Sequence, residues 1–148
     1  MDQQRLWTRI TLWVNRAVAM VLAVLMFTLP SLLRWYAGFR FLSAGQQWWI
    51  TGAFYCCAII IGFALWQMDC LLQNILAGEV FVRKNIRAIR AVQWCCALIC
   101  IVTAVTCFAY LPLMTVAMIM GFLSLTICVV AQVMDAAVTI REENDLTI

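Results

Sequence analysis

Long uncharged segments dominate the pattern of hydrophobic and polar positions along this chain. The longest is residues 91–134, 44 residues without an acidic or basic side chain, with Pro112 near its middle. A bilayer core about 30 Å thick is crossed by about 20 apolar residues in a helix. A single helix of this length would extend about 66 Å and leave no charge near water at either end. The segment therefore predicts two spans that form a tight hairpin, separated by Leu111 and Pro112.

Two further uncharged segments precede this one, so the pattern predicts four membrane-spanning helices. The expected spans are residues 12–33, 49–68, 91–110 and 113–134. An inner connection at 69–90 joins the second span to the third, and a tail follows at 135–148. The predicted fold class is all-α, an integral-membrane four-helix bundle that forms a single membrane domain, residues 1–148. No small-residue cleavage site follows the first apolar segment where a signal peptide would have one, so we expect that span to stay attached.

Basic residues indicate which end of the bundle faces the cytoplasm. Eight of the ten lie on one side of the predicted spans: Arg5, Arg9, Arg16, Arg83, Lys84, Arg87, Arg90 and Arg141. The opposite side has Arg34 and Arg40. The positive-inside rule therefore predicts that the N and C termini are both cytoplasmic. With 66% hydrophobic and 11% charged residues, the chain has no room for a separate soluble domain.

The composition offers little for catalysis. There is no histidine, which removes the commonest metal ligand and the usual general base near neutral pH. The eight cysteines fall almost entirely within apolar segments and form no C-x-x-C pair, so we interpret them as small hydrophobic packing residues. We predict no catalytic, metal-binding or cofactor-binding residue, and no enzyme. A membrane thiol oxidoreductase is disfavoured because the outer loop, residues 34–49, contains no cysteine that a partner could reach.

Strong polar side chains gather at one depth, near the cytoplasmic ends of the spans. We expect the two carboxylates there, Asp69 and Asp135, to pair with Arg16, Arg87 or Arg90 of neighbouring spans. The candidate polar ring consists of Arg16, Asp69, Arg87, Gln132 and Asp135. Two interpretations stay open: a solvated ring that fixes helix register, and a shallow inward-facing site for a cation or proton. The midplane offers only hydroxyl and thiol groups, which argues against transport through a single chain.

The inner connection and the tail carry the other distinctive side chains. We expect Gly78 to end the helix that continues from span two, and Asn85 to cap the helix that becomes span three. The tail sets three carboxylates opposite the basic connection, so we expect it to fold back by charge pairing; a solvated tail is the alternative. The candidate interaction residues are Gly78, Glu79, Phe81, Asn85, Arg90, Glu142, Glu143, Asn144, Asp145, Leu146, Thr147 and Ile148.

These two segments also carry a resemblance to a known family. The segments GEVFVRKNIRAIR (78–90) and REENDLTI (141–148) resemble the bacterial membrane family called domain of unknown function 2975. The resemblance extends along the whole chain and implies four spans in the bacterial cytoplasmic (inner) membrane, with no established activity. It also implies a candidate partner, because such proteins are often encoded beside a small Xre-like helix-turn-helix regulator.

The leading hypothesis is a non-enzymatic multi-pass protein of the lipid bilayer that presents its connection and tail to a cytoplasmic partner. It would contact no nucleic acid directly. The alternative is a transporter or channel subunit that acts as a homo-oligomer, supported by the cluster of polar residues. Ala58 with Gly62, and Ala117 with Gly121, would let helices approach closely within one chain or between copies, and the sequence does not decide which.

Overall fold

The computed structural model describes residues 2–39, 44–78, 82–108 and 110–145, which form four α-helices. The helices are α1 (Asp2–Phe39), α2 (Ala44–Leu76), α3 (Arg83–Thr106) and α4 (Leu113–Asp145). All four are long and apolar enough to span a membrane. The chain is therefore a multi-pass membrane protein of the all-α class. Four crossings would place residues 2 and 145 on the same side of the bilayer.

Three helices are much longer than the bilayer core requires. At about 1.5 Å per residue, α1 with its 38 residues is about 57 Å long. By the same rise, α2 and α4 with 33 residues each are about 50 Å long. The predicted spans 12–33, 49–68 and 113–134 are the apolar parts of these helices, and polar turns continue them without a break. A helix forms the hydrogen bonds of its own backbone both in lipid and in water, so it need not end at the membrane boundary.

The turn between α3 and α4 is longer than the two residues predicted. α3 ends at Thr106 rather than near residue 110, and the Cys107 N–H donates to the Thr103 carbonyl at 2.9 Å. Pro112 comes directly before α4, and its carbonyl accepts a bond from the Thr115 N–H at 3.3 Å. A residue that precedes proline is disfavoured in the helical conformation. The chain leaves the helix at Thr106, and Leu111, directly before the proline, does not continue it.

The helices pack against each other in chain order. α1 packs on α2, α2 on α3, and α3 on α4, whereas α1 and α4 make no close contact among the described residues. The four-helix bundle is therefore open between its first and last helices. α3 has a neighbour on two sides and buries Cys95 and Ile99, whereas the buried side chains among those described on α1 are Leu12 and Leu29. Most of the remaining surface of α1 is apolar and exposed, as lipid contact requires.

The two pairs of small residues have different surroundings. Ala117 is buried, and a Cβ added at Gly121 would lie 3.3 Å from the Cys100 Sγ on α3. This pair lets α3 and α4 approach closely within one chain. Ala58 is also buried, but Gly62 is exposed, and a Cβ added there would meet nothing within 4 Å.

A proline inside α1 is compensated by a side chain of α2. Pro30 has no N–H to donate to the carbonyl of Met26, four residues earlier in the helix. The Tyr55 hydroxyl donates to that carbonyl at 3.1 Å. An unsatisfied carbonyl is costly in hydrocarbon, so this bond supports the continuity of α1 and also holds α1 against α2.

Candidate interaction site

Charged side chains collect at one end of the bundle, which we call the polar end. It comprises residues 2–16, 69–78, 82–90 and 135–145, and eight of the ten basic residues of the chain lie within it. Antiparallel packing in chain order brings together the start of α1, the end of α2, the start of α3 and the end of α4. Each helix continues past its apolar part here, so these side chains are mounted on helices rather than on loops.

Two ion pairs join α3 to α4 at the polar end. Arg83 donates through Nε to Glu142 Oε1 at 3.0 Å and through Nη2 to Oε2 at 2.6 Å, so this pair is bidentate. Arg90 Nη2 donates to Asp135 Oδ2 at 2.7 Å. The pairs lie seven residues apart on both helices, about two helical turns. They therefore match one antiparallel register; because each of the four side chains is at least 37% exposed, solvent screens their effect on stability.

Pairing with Arg83 changes the titration of Glu142, which lies beyond the apolar part of α4. The hydrogen bond from the guanidinium holds the pKa of Glu142 below its usual range. A lowered pKa in the folded state means that the pair stabilises the fold above the ordinary glutamate pKa. That contribution is lost as the pH falls through the lowered value. Near neutral pH both partners are therefore charged.

A third ion pair joins α1 to α2. Arg16 Nε donates to Asp69 Oδ1 at 3.1 Å, and Gln73 Nε2 donates to Oδ2 of the same carboxylate at 2.6 Å. One helical turn before Asp69 on α2, the Leu65 carbonyl accepts a bond from Asn15 Nδ2 at 3.1 Å. These bonds position the start of α1 on the end of α2.

The predicted polar ring is replaced by two separate groups of contacts. Asp69 and Asp135 are each paired with an arginine, as expected. One pair lies between α1 and α2 and the other between α3 and α4, and α1 does not contact α4 in the described part of the chain. The expectation of a closed ring is therefore wrong, because the bundle is open on that side.

Two of the expected ring residues do not join either group. Gln132 is exposed, and its amide lies 3.5 Å from the Cys128 Sγ one turn earlier on the same helix. Arg87 is exposed on α3 and has no ion pair with any residue that the structure describes. Arg87 lines the same cleft as the two arginines that are paired with α4.

Asn85 joins α2 to α3 through a buried amide. Its side chain is 1% exposed, and Oδ1 accepts a bond from Asn74 Nδ2 at 3.0 Å. The predicted capping role is wrong, because the N-cap of α3 is Val82 and has no side-chain cap bond. Asn85 lies inside the first turn, where burial requires its amide to find partners within the protein. The contact with Asn74 holds the start of α3 against the end of α2.

Gly78 ends α2 as predicted. Its φ of +88° is in the left-handed region that side chains with a Cβ rarely adopt, and its N–H donates to the Ile75 carbonyl at 3.1 Å. The tail differs from the expected fold-back, because residues 135–145 continue α4 as a helix. Glu142 still meets the basic connection, since α3 lies antiparallel beside this extension.

Several candidate interaction residues lie outside the described part of the chain. They are Glu79, Phe81, Leu146, Thr147 and Ile148, together with the side chain of Asp145. Glu143 and Asn144 are exposed on the last turns of α4, and each makes a contact within the protein.

Sequence reasoning missed two partners of the predicted residues. Gln73 follows Asp69 by four residues, a spacing that brings side chains together on a helix, so this contact had a local signal. The contact of Asn74 had no local signal in the sequence, because its partner Asn85 lies across a connection whose path the sequence does not define.

The polar end offers hydrogen-bonding and charged groups. Among the described residues, no three histidine, cysteine or carboxylate side chains lie close enough to hold a metal ion. The eight cysteines are free thiols. An array of arginines, carboxylates and amides on packed helices is suited to recognising a charged partner.

Residues 18–148 match the family model described as Protein of unknown function (DUF2975). The match covers most of the chain, so the chain belongs to this family, and the resemblance inferred from the connection and tail is confirmed. Comparisons with curated proteins and with solved structures give no match.

Proposed function

We propose that this DUF2975 member is a non-enzymatic regulatory protein of the bacterial inner membrane that presents its polar end to a cytoplasmic partner. The proposal rests on one observation: the end of α2, the start of α3 and the end of α4 form one surface. The bidentate Arg83–Glu142 pair and the buried Asn74–Asn85 contact hold that surface together. The excess of basic residues at this end favours the cytoplasmic side.

The partner that we propose is a small Xre-like helix-turn-helix regulator, as the family resemblance suggests. The exposed side chains around the joined surface carry both signs of charge; they include Lys84, Arg87, Arg141 and Glu143. A surface of mixed charge selects its partner by complementary charges and rejects partners that present like charges. Binding here would hold the regulator at the membrane, and this chain would need no contact with nucleic acid.

Site-specific photo-crosslinking in intact cells tests this proposal. A photoreactive residue at position 87 should capture the regulator, identified by mass spectrometry. The matched control is position 94, where Trp94 is exposed on the same face of α3, two turns farther towards the lipid. We expect no capture of the regulator at position 94.

Charge reversal adds a second control to the same experiment. Arg83→Glu should reduce capture at position 87, because it sets two carboxylates against each other, and the added substitution Glu142→Arg should restore it. Equal capture of the regulator at positions 87 and 94, or its absence from position 87, would refute the proposal.

The transporter alternative gains no support from hydroxyl groups within the membrane. Thr103 Oγ1 donates to the Ile99 carbonyl at 2.7 Å. Thr106 Oγ1 donates in the same way to the Val102 carbonyl at 2.7 Å. Both hydroxyl protons are donated to the helix that carries them, so neither is available to a transported ligand, and we do not advance transport as the function.

A further inference from the structure

Three arginines of α3 line one cleft at the polar end. Arg83, Arg87 and Arg90 are four and three residues apart, a spacing that places them on one face of the helix. The cleft between this face and α4 has a volume of about 310 Å³, and Ile86 and Asp135 complete its lining. It is therefore a basic cleft with one carboxylate in its wall.

Two of these arginines are held in place by α4 and still have donors to spare. Arg83 uses Nε and Nη2 on Glu142, and Arg90 uses Nη2 on Asp135. A guanidinium has five N–H donors, so both can donate to a further acceptor without releasing their carboxylates. Arg87 lies between them and has no ion pair among the described residues. Three cations against two carboxylates leave one positive charge to be neutralised.

The depth of the cleft matches the headgroup layer of a bilayer. Trp94 is exposed at the end of the apolar part of α3 that faces the polar end, a position typical of the membrane interface. Arg90 and Arg87 precede it by about 6 Å and about 10 Å along the helix. The headgroup layer extends about 5–8 Å beyond the hydrocarbon core, and long arginine side chains reach towards it.

We propose that this cleft binds the phosphate group of an anionic phospholipid, with Arg87 as the principal donor. The planar guanidinium matches two phosphate oxygens at once, a geometry that lysine cannot provide. Asp135 stays paired with Arg90, and one phosphate neutralises the one positive charge that remains, so each chain binds one phosphate. The inference is independent of the protein partner proposed above and of which side the polar end faces, because its test uses purified protein and lipid alone.

Native mass spectrometry of the full-length protein in mild detergent tests the site. The probes are phosphatidylglycerol, phosphatidylcholine with the same acyl chains, and inorganic phosphate. We expect one retained phosphatidylglycerol per chain, in clear preference to phosphatidylcholine, and no displacement by millimolar phosphate. Arg87→Gln should weaken phosphatidylglycerol binding about fivefold, the effect of one arginine near anionic lipid. Arg87→Lys should retain part of the affinity, since it keeps the charge but loses the bidentate geometry.

Arg141→Gln is the matched control, because it removes one exposed arginine from the polar end on a face of α4 away from Asp135. It should leave phosphatidylglycerol affinity unchanged within about twofold, less than one surface arginine contributes. Unchanged far-UV circular dichroism will show that each variant is folded. The proposal is overturned if the Arg87 and Arg141 variants lose equal affinity, if the two lipids bind equally, or if inorganic phosphate or an acidic peptide displaces the lipid.

Discussion

Asn85 shows how one amide can determine the geometry of a connection between two membrane helices. It is buried almost completely, and its Oδ1 accepts a bond from Asn74 at the end of α2. A buried amide that loses its partner keeps its desolvation cost, whereas an exposed amide exchanges one partner for water. The position of α3 relative to α2 therefore depends more on this contact than on the exposed charges beside it.

Asn85→Ala should destabilise the polar end, because it removes the acceptor of Asn74 and leaves a small cavity. We expect the free energy of unfolding to fall by about 1–3 kcal/mol, measured by circular dichroism of the full chain in mixed detergent micelles. Hydrogen exchange over residues 82–86 should also become faster. Lys84→Ala, an adjacent exposed substitution, should change the free energy by less than about 0.5 kcal/mol. Equal losses in the two variants would contradict this role for Asn85.

The same residue shows the limit of reasoning from local sequence. Its position at the expected start of a helix predicted a cap, because asparagine is a preferred capping residue. The cap is Val82, three residues earlier, and Asn85 is buried in the first turn. Its contact with Asn74 depends on the path of residues 77–82, and no local pattern defines that path.

Individual helices here are continuous through positions that would interrupt them in isolation. Pro30 removes one N–H from α1, yet the helix extends from Asp2 to Phe39. The continuity depends on α2, whose Tyr55 donates to the carbonyl of Met26 that Pro30 leaves without its usual donor. A proline in a predicted span thus signals that a carbonyl of the helix needs a donor from elsewhere, although it does not identify that donor.

A double-mutant cycle tests this relation between two helices. Tyr55→Phe should lower the free energy of unfolding by about 0.6–1.7 kcal/mol, the range for hydrogen bonds between membrane helices. In a Pro30→Ala background the same substitution should cost almost nothing, because the backbone of the introduced alanine supplies the missing N–H. The measurement is unfolding in mixed detergent micelles. If Tyr55→Phe has the same effect in both backgrounds, the hydroxyl does not compensate for the proline.

For the whole molecule, the sequence predicted the number of membrane-spanning helices but not how those helices pack against each other. Four uncharged segments predicted four helices because the bilayer sets a minimum apolar length, and that prediction is confirmed. Charge predicted which carboxylates would be paired, but hydropathy does not encode which helices touch. The bundle is open between α1 and α4, so the expected ring does not close. The polar extension of α4 was also underestimated, because hydropathy marks the end of the membrane rather than the end of the helix.

The orientation of this open bundle depends on its basic residues and can be tested directly. Eight lie at the polar end and two near the opposite end, so the positive-inside rule places the polar end in the cytoplasm. Green fluorescent protein fused after Ile148 should fluoresce, whereas alkaline phosphatase fused there should be inactive. Phosphatase inserted after Arg40 should be active.

Removing basic residues from the polar end should alter this orientation, whereas removing acidic residues should not. Replacing Arg83, Lys84, Arg87 and Arg90 with glutamine leaves four basic residues against two, so we expect a mixed population with phosphatase activity at both fusion points. Glu142→Gln with Glu143→Gln should leave the orientation unchanged, because acidic residues contribute little to it. An active phosphatase after Ile148 in the unaltered chain would place the polar end in the periplasm. The proposed cytoplasmic regulator could not then reach it, whereas the phosphate cleft would still face a lipid leaflet.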